Sequence, residues 1–244
     1  LPEEVRMTRY KPMTHQNLSL KFLASNDEVF DMSDPGTGKT MPEILDFERR
    51  RKKKGKCALV LASKSLLESA WGDDIKKFAP NLTYSVAYAE NREKAFAANA
   101  DIYITNHDAA KWLEKKPKSF FAKFDTLILD ESSAFKHHTS QRSKSVAKIA
   151  KFFQRRRLMS GTPNTNGISD IWHQMFIVDG GKRLGKSFYA FRSAVCTPVQ
   201  TGRDANMVKW VDKPNAEAIV GALIQDVVIR HKFELKVPRA VPSV

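Results

Sequence analysis

The stretch Ser33-Asp34-Pro35-Gly36-Thr37-Gly38-Lys39-Thr40 decides how this chain is read, because it sets two glycines, a lysine and a hydroxyl between a short apolar run and a helical pattern. Apart from Ser33 at a position usually held by glycine, the spacing is that of a loop whose backbone N–H groups surround phosphate oxygens. Gly36 and Gly38 let the backbone turn so that successive donors converge, and the following helix adds its positive end. Within the same loop as Pro35 and Thr37, Lys39 is placed to reach the β- and γ-phosphates of ATP, and Thr40 to bind Mg²⁺. Ile44, Leu45 and Phe47 give the next helix an apolar face, and Pro42 falls in its first turn, where no hydrogen bond is lost. That context favours a nucleotide loop over an ordinary glycine turn.

Outward from the loop, short runs rich in β-branched and aromatic residues alternate with stretches of helical spacing. Strands are expected near Val29 to Met32, Cys57 to Ala62, Thr83 to Ala89, Asp101 to Thr105, Thr126 to Asp130 and Arg157 to Ser160. This rhythm predicts an α/β fold: βαβ units in a central, mostly parallel sheet flanked by helices, with ligands bound beyond the carboxyl ends of the strands. The alternation stops near Asp179. The expected domains are therefore an ATP-binding lobe over 1–178, a basic helical appendage over 179–236, and the start of a linker over 237–244.

Two further strand ends carry chemistry. Leu127-Ile-Leu-Asp-Glu ends an apolar strand with adjacent carboxylates, so Asp130 can hold the magnesium ion while Glu131 orients and deprotonates an attacking water. Leu158-Met-Ser-Gly-Thr-Pro ends another, and its hydroxyls suggest a relay in which Ser160 and Thr162 hydrogen-bond toward Asp130 and Glu131.

Composition narrows the class. With 244 residues, 42% of them hydrophobic, the chain can bury a full core and is not of the disordered type. The absence of a long apolar run or a leader pattern predicts a soluble, cytoplasmic protein with no membrane partner. Cys57 and Cys196 stand alone, which suggests neither a disulfide framework nor a zinc site. The 41 Lys and Arg outnumber the 27 Asp and Glu, a net charge of +14 that favours a polyanionic partner. The missing initiator Met and the ending Val237-Pro-Arg-Ala-Val-Pro-Ser-Val read as those of a fragment.

Taken together, Gln16, the loop Ser33 to Thr40, Asp130-Glu-Ser-Ser and Ser160-Gly-Thr-Pro resemble, in order and spacing, the first lobe of superfamily 2 helicases. Ala58 to Trp71 with Ile75-Lys-Lys-Phe, and Ile104-Thr-Asn-His, are similar to motifs Ia and Ib of the Swi/Snf-type translocating ATPases. The likeness continues through Trp172, Gly180 to Phe188 and Val228-Ile-Arg-His-Lys, so it covers nearly the whole chain. Such a resemblance implies a RecA-like lobe, with Gln16 recognising adenine and Lys64, Ser65, Thr105 and Asn106 facing a nucleic-acid backbone, most often that of double-stranded DNA. It also implies a second RecA-like lobe whose arginines reach the γ-phosphate and contribute ~10³ to 10⁵ in rate, so that this lobe alone is expected to be weakly active. Ser132-Ser133 departs from the family's Ala-His or Ala-Asp, which leaves open how hydrolysis is coupled to the sensor loop; serine here resembles short phage and bacterial members.

Other readings stay open beside this one: a strand-separating helicase on DNA or RNA, and a nucleotide-dependent binding module without productive hydrolysis. The cationic run Arg49 to Lys54 reads as a solvated helix end or a binding patch. Lys182, Arg183 and Lys186 suggest a basic protrusion over a duplex. His137-His138 lacks companions at ligand spacing, and Trp71, Trp112 and Trp172 sit at helical spacing that suits core packing.

Overall fold

A computed structural model of the chain describes residues 10–202 and 207–232, without the side chains of 52–54. The elements follow in the order α1 (Thr14–Ser25), β1 (Glu28–Asp31), α2 (Thr40–Lys54), β2 (Cys57–Ala62), α3 (Asp73–Phe78), β3 (Tyr84–Ala87), α4 (Arg92–Ala97), β4 (Ile102–Asn106), α5 (Ala110–Glu114) and β5 (Phe124–Asp130). Then come α6 (Gln141–Ala150), β6 (Arg155–Met159), α7 (Asp170–Asp179), α8 (Phe188–Val195), β7 (Cys196–Gln200), β8 (Val208–Asp212), α9 (Ala216–Ile224) and β9 (Val228–Ile229).

Seven of the strands form one sheet in the order β3-β4-β2-β5-β6-β1-β9, and every pairing in it is parallel. Its central strands are uninterrupted apolar runs because helices cover both faces. One face buries Ile44 and Phe47 of α2 with Trp71 and Ile75. The opposite face buries Leu113 of α5, Val146 and Ile149 of α6, and Met175 and Val178 of α7. Trp172 is buried in that layer and Trp112 packs against it. No described helix is long and apolar enough to cross a membrane.

The six expected strands are all present, with ends displaced by a residue or two; the segment after Asp179 departs further from expectation. It holds α8 and α9, but also the antiparallel pair β7 and β8, and β9 then returns to the main sheet beside β1. Phe191, Val195, Val220, Ile224 and Val227 enter the same core as α6 and α7. The expected boundary at 178 falls inside α7, whose last residue, Asp179, accepts hydrogen bonds from the backbone N–H groups of Gly181, Lys182 and Arg183. Gly180 ends the helix at φ 69°, a conformation in which a side chain would be strained. The linker expected over 237–244 lies outside the described residues.

Several residues of the basic clusters are held by ion pairs. Arg183 pairs with Asp226 at 2.7 Å, Asp179 at 3.1 Å and Glu28 at 3.2 Å, and Lys182 also reaches Glu28 at 2.7 Å. Arg183 thereby fastens the approach to β9 onto β1 and is turned inward from the basic protrusion that the sequence suggested, while Lys182 and Lys186 stay exposed. Likewise Arg49 and Arg50 pair with Asp46, and Arg51 with Asp101. Arg157 of β6, completely buried, donates to the carbonyls of Asn26 and Leu23 and so fixes α1 to the sheet. His138 stacks on Phe188 with ring centroids 4.0 Å apart.

Candidate active site

The phosphate-type loop joins β1 to α2 at the carboxyl edge of the sheet. Gly36 and Gly38 adopt φ 83° and 72°, values that a side chain would strain. A Cβ on Gly38 would also come within 2.6 Å of Gln16 Nε2. Lys39 Nζ donates to the loop carbonyls of Ser33 at 2.9 Å and Asp34 at 3.2 Å, which folds its charge over the loop. Several loop amides are used internally: Ser33 N donates to Asp31 Oδ1, Asp34 N to His231 O, and Thr37 N to Asp34 O. The N–H groups of Gly36, Gly38 and Lys39 have no such partner among the described residues, and with Thr40 opening α2 they form the donor set that a phosphate requires.

Gln16 is buried, accepts from Met13 N at 2.9 Å and donates from Nε2 to Gly38 O at 3.1 Å. It thereby stands against the loop as part of its wall. His15 Nε2 donates to Thr37 O at 2.8 Å beside it. Ser33, the departure from glycine, has a physical role: its buried hydroxyl accepts from His231 N at 2.9 Å and latches the exit of β9 to the loop.

The carboxylates stand two strands away across β6. Asp130 Oδ2 accepts from Trp71 Nε1 at 2.9 Å, while Oδ1 accepts from Glu131 N at 3.0 Å. Trp71 is a core residue as expected, but its indole N–H also orients a carboxylate. It lies on a π-helical turn, Leu67–Gly72, of the kind often found beside functional sites. His107 Nε2 donates to Asp130 O at 2.7 Å, and burial keeps this imidazole below its ordinary pKa.

Glu131 is half-buried and sits at φ 51°, ψ 57°. Among the described residues no other non-glycine has a positive φ, and such strain clusters at functional positions. Burial raises the Glu131 pKa, the neighbouring Asp130 raises it further, and Lys39 opposes both.

The third loop touches the first. A Cβ on Gly161 would meet Pro35 Cγ and Cδ at 2.7 Å, so only glycine fits between them. The expected relay from Ser160 and Thr162 to the carboxylates takes another form. Ser160 Oγ accepts from Thr162 N at 3.2 Å within its own turn, because Ser160 is buried at the end of β6 while Thr162 faces solvent. The loop is joined instead to Ser132, the residue after Glu131, through Gln174 of α7, which accepts from Ser132 Oγ at 2.7 Å and donates to Pro163 O at 2.7 Å. Beside the loop, a cavity of about 460 Å³ is lined by Asp34, Gly161 to Thr165, α9 and Arg230.

Of the residues expected to face a nucleic acid, Lys64 and Ser65 are exposed just beyond β2, and Asn106 is partly exposed at the end of β4. Register brings β2 and β4 together there, with Ala62 opposite Asn106. Thr105 departs from the expectation. Strand alternation turns its side chain inward, where its hydroxyl donates to Ala87 O at 2.7 Å and is fully buried. Arg92, which the sequence reading passed over, donates to Asn106 Oδ1 at 3.1 Å and adds a cation to this edge.

Residues 15–241 match the SNF2-related domain family. The chain is 30% identical over 199 residues to protein p41 of Acyrthosiphon pisum secondary endosymbiont phage 1, a likeness covering 77% of this chain and 43% of that protein. It is 27% identical over 226 residues to helicase SWR1 of Saccharomyces cerevisiae, covering 84% of this chain and 15% of that one. The Sulfolobus solfataricus SWI2/SNF2 ATPase core, solved in complex with dsDNA, shares the fold at a TM-score of 0.72 and 23% identity, over 92% of this chain and 45% of that one. The chain thus spans less than half the length of each.

Proposed function

The chain belongs to the SNF2-related family, and from that premise we propose that it is an ATPase motor domain, the first RecA-like lobe of a translocase that moves along double-stranded DNA. The observation that carries the reading is the convergence of three loops at one sheet edge, with Gly161 against Pro35 and Gln174 joining Pro163 to Ser132.

In this reading Pro35, Gly36, Thr37, Gly38, Lys39 and Thr40 hold the nucleotide phosphates, and Gln16, which lies against the loop, recognises adenine. Thr40 and Asp130 would hold Mg²⁺, whose chemistry when bound is to neutralise charge on the β- and γ-phosphate oxygens. Glu131 orients the attacking water and takes its proton on the carboxylate; a pKa raised by burial makes it a better base than an exposed glutamate. Lys39 offsets negative charge on the transferring phosphoryl group. A second RecA-like lobe of the natural full-length protein would close over this edge.

For the track, the support is the exposed set Lys64, Ser65 and Asn106 with Arg92, the net charge of +14, and the shared fold with a core solved on dsDNA. Contacts of this type go to phosphates, so they position the protein without reading sequence. The test is ATP hydrolysis by the full-length chain with and without double-stranded DNA, at two salt concentrations, beside Glu131→Gln. DNA-stimulated turnover that the substitution abolishes and that weakens with salt is expected. No response to duplex DNA would overturn the translocase reading, and strand separation in the same preparations would replace it with a helicase.

A further inference from the structure

We propose that Gln174 is a positioning residue that couples Glu131 to the loop Ser160–Pro163, in the role that Ser132-Ser133 left without a candidate; the inference rests on the ATPase reading above. Gln174 is completely buried on α7, and its amide uses both N–H donors and the oxygen. Its Oε1 accepts from Ser132 Oγ at 2.7 Å, and its Nε2 donates to Pro163 O at 2.7 Å and to Asp170 O at 3.0 Å. One side chain therefore bridges the residue next to the candidate base and the last residue of the loop that touches Pro35.

Three physical points make this more than a satisfied core amide. Ser132 follows Glu131, whose backbone holds φ 51°, and a strained non-glycine conformation persists only where its surroundings impose it. The Ser132 to Gln174 bond is such a constraint, together with Ala134 N donating to Glu131 O at 3.0 Å. Second, a hydrophobic residue on α7 would fill the same space, so the amide contributes connectivity that packing does not need. Third, the surrounding α7 face is built to keep the bridge in place. His173 Nδ1 donates to Phe135 O at 2.7 Å, and Lys136 Nζ donates to Thr165 Oγ1 at 2.6 Å and Asp170 Oδ2 at 3.0 Å. These contacts fix α7 against both loops, and Gln174 alone among them touches the residue beside Glu131.

A displacement of the Pro163 loop is transmitted along two short hydrogen bonds to the Glu131 backbone, and a change at Glu131 returns by the same route. Breaking either bond should have the same consequence as breaking both. The experiment is a double-mutant cycle in the full-length protein with Ser132→Ala, Gln174→Met and the double variant, measuring kcat, KM for ATP and thermal stability, with and without duplex DNA. Relative to Gln174→Met alone, the double variant no longer leaves the buried Ser132 hydroxyl unsatisfied, so it folds where that single variant is destabilised.

The expected result is a fall in kcat on the order of 10-fold in each single variant and no further fall in the double, with KM for ATP within ~2-fold. Near-normal kcat in the double variant, or kcat losses that add and follow the loss of stability, overturns the proposal and leaves Gln174 as packing. A wild type that hydrolyses ATP without responding to DNA refutes the translocase reading alone, because the cycle is then read on unstimulated turnover.

Discussion

Trp71→Phe separates the two roles of that side chain, filling the core and holding Asp130. The substitution keeps an aromatic ring but removes the Nε1–H that Asp130 Oδ2 accepts at 2.9 Å. A hydrogen bond to a charged group contributes ~1.5–3 kcal/mol. The smaller ring leaves roughly 40 Å³ unfilled at a site with no solvent exposure, worth ~1 kcal/mol at the usual cavity cost. Together these predict a loss of ~2.5–4 kcal/mol and a Tm lowered by roughly 5–15 °C for a domain of this size. The functional consequence is separate. Asp130 retains the Glu131 N–H on Oδ1 but loses the restraint on the other oxygen, and loss of such an outer partner weakens metal affinity by roughly 10-fold or more. A Mg²⁺ titration of ATP hydrolysis, run well below both melting temperatures, should show half-saturation displaced by about that factor. Ile75→Val, a comparable core truncation in the same layer, should lower Tm without moving the Mg²⁺ curve. Superimposable Mg²⁺ curves for wild type and Trp71→Phe would refute the positioning role and leave the tryptophan as packing alone.

Glu43 of α2 is buried, and its pKa rises from 4.5 to about 8, chiefly through burial and despite Arg157. The folded state therefore keeps a proton that the unfolded state releases, so this group's contribution is full below pH ~4.5 and is lost progressively toward pH ~8. Glu43→Gln should flatten the decline of Tm across that window; parallel wild-type and variant curves would exclude Glu43 as its source. Lys39→Ala should reduce ATP turnover by at least ~100-fold with little change in Tm, since the side chain bonds only to loop carbonyls. Arg183→Ala should lower stability but leave the salt dependence of DNA binding unchanged, because its charge is directed at Asp179, Asp226 and Glu28. Lys64→Ala should do the reverse and reduce the slope of log affinity against log salt by about one.

The parts of the fold legible in the sequence are those in which local pattern and tertiary role coincide. Cys57–Ala62 was expected to its ends because a strand covered on both faces is an unbroken apolar run between polar turns. Val228–Ile229 was not, since two residues carry no period, and only the edge of β1 makes them a strand. The β7 and β8 pair was read as helix. Pro198 argues against a central strand, and both strands of an isolated two-stranded ribbon are edges, where proline is tolerated. At the site, Lys39, Asp130 and Glu131 announce themselves through spacing. The residues that orient them do not: Trp71, His107 and Gln174 look like ordinary helix or core positions until the chain is folded. Thr105 shows the converse, a polar residue at a promising strand end whose parity turns it into the core.

Ser33 shows why a departure from a motif can carry information. A glycine there would suffice for a loop that only binds phosphate, because Gly36 and Gly38 already provide the unusual backbone angles. Serine adds an acceptor for His231 N, and the adjacent Asp34 N donates to His231 O. Two hydrogen bonds thus tie the loop to the residues that follow β9, and His231 is tied in turn to Ser19 of α1 at 3.0 Å. On the other side, Gly161 leaves the loop in contact with the segment that Gln174 joins to Ser132. The loop Ser33–Thr40 is therefore in contact on one side with the turn that Gln174 joins to Ser132, beside Glu131, and on the other with the residues that follow β9. A binding module without hydrolysis would need neither connection. The proposed motor would use both, because the state of the phosphate must be sensed where water is activated and passed on to the residues that follow β9.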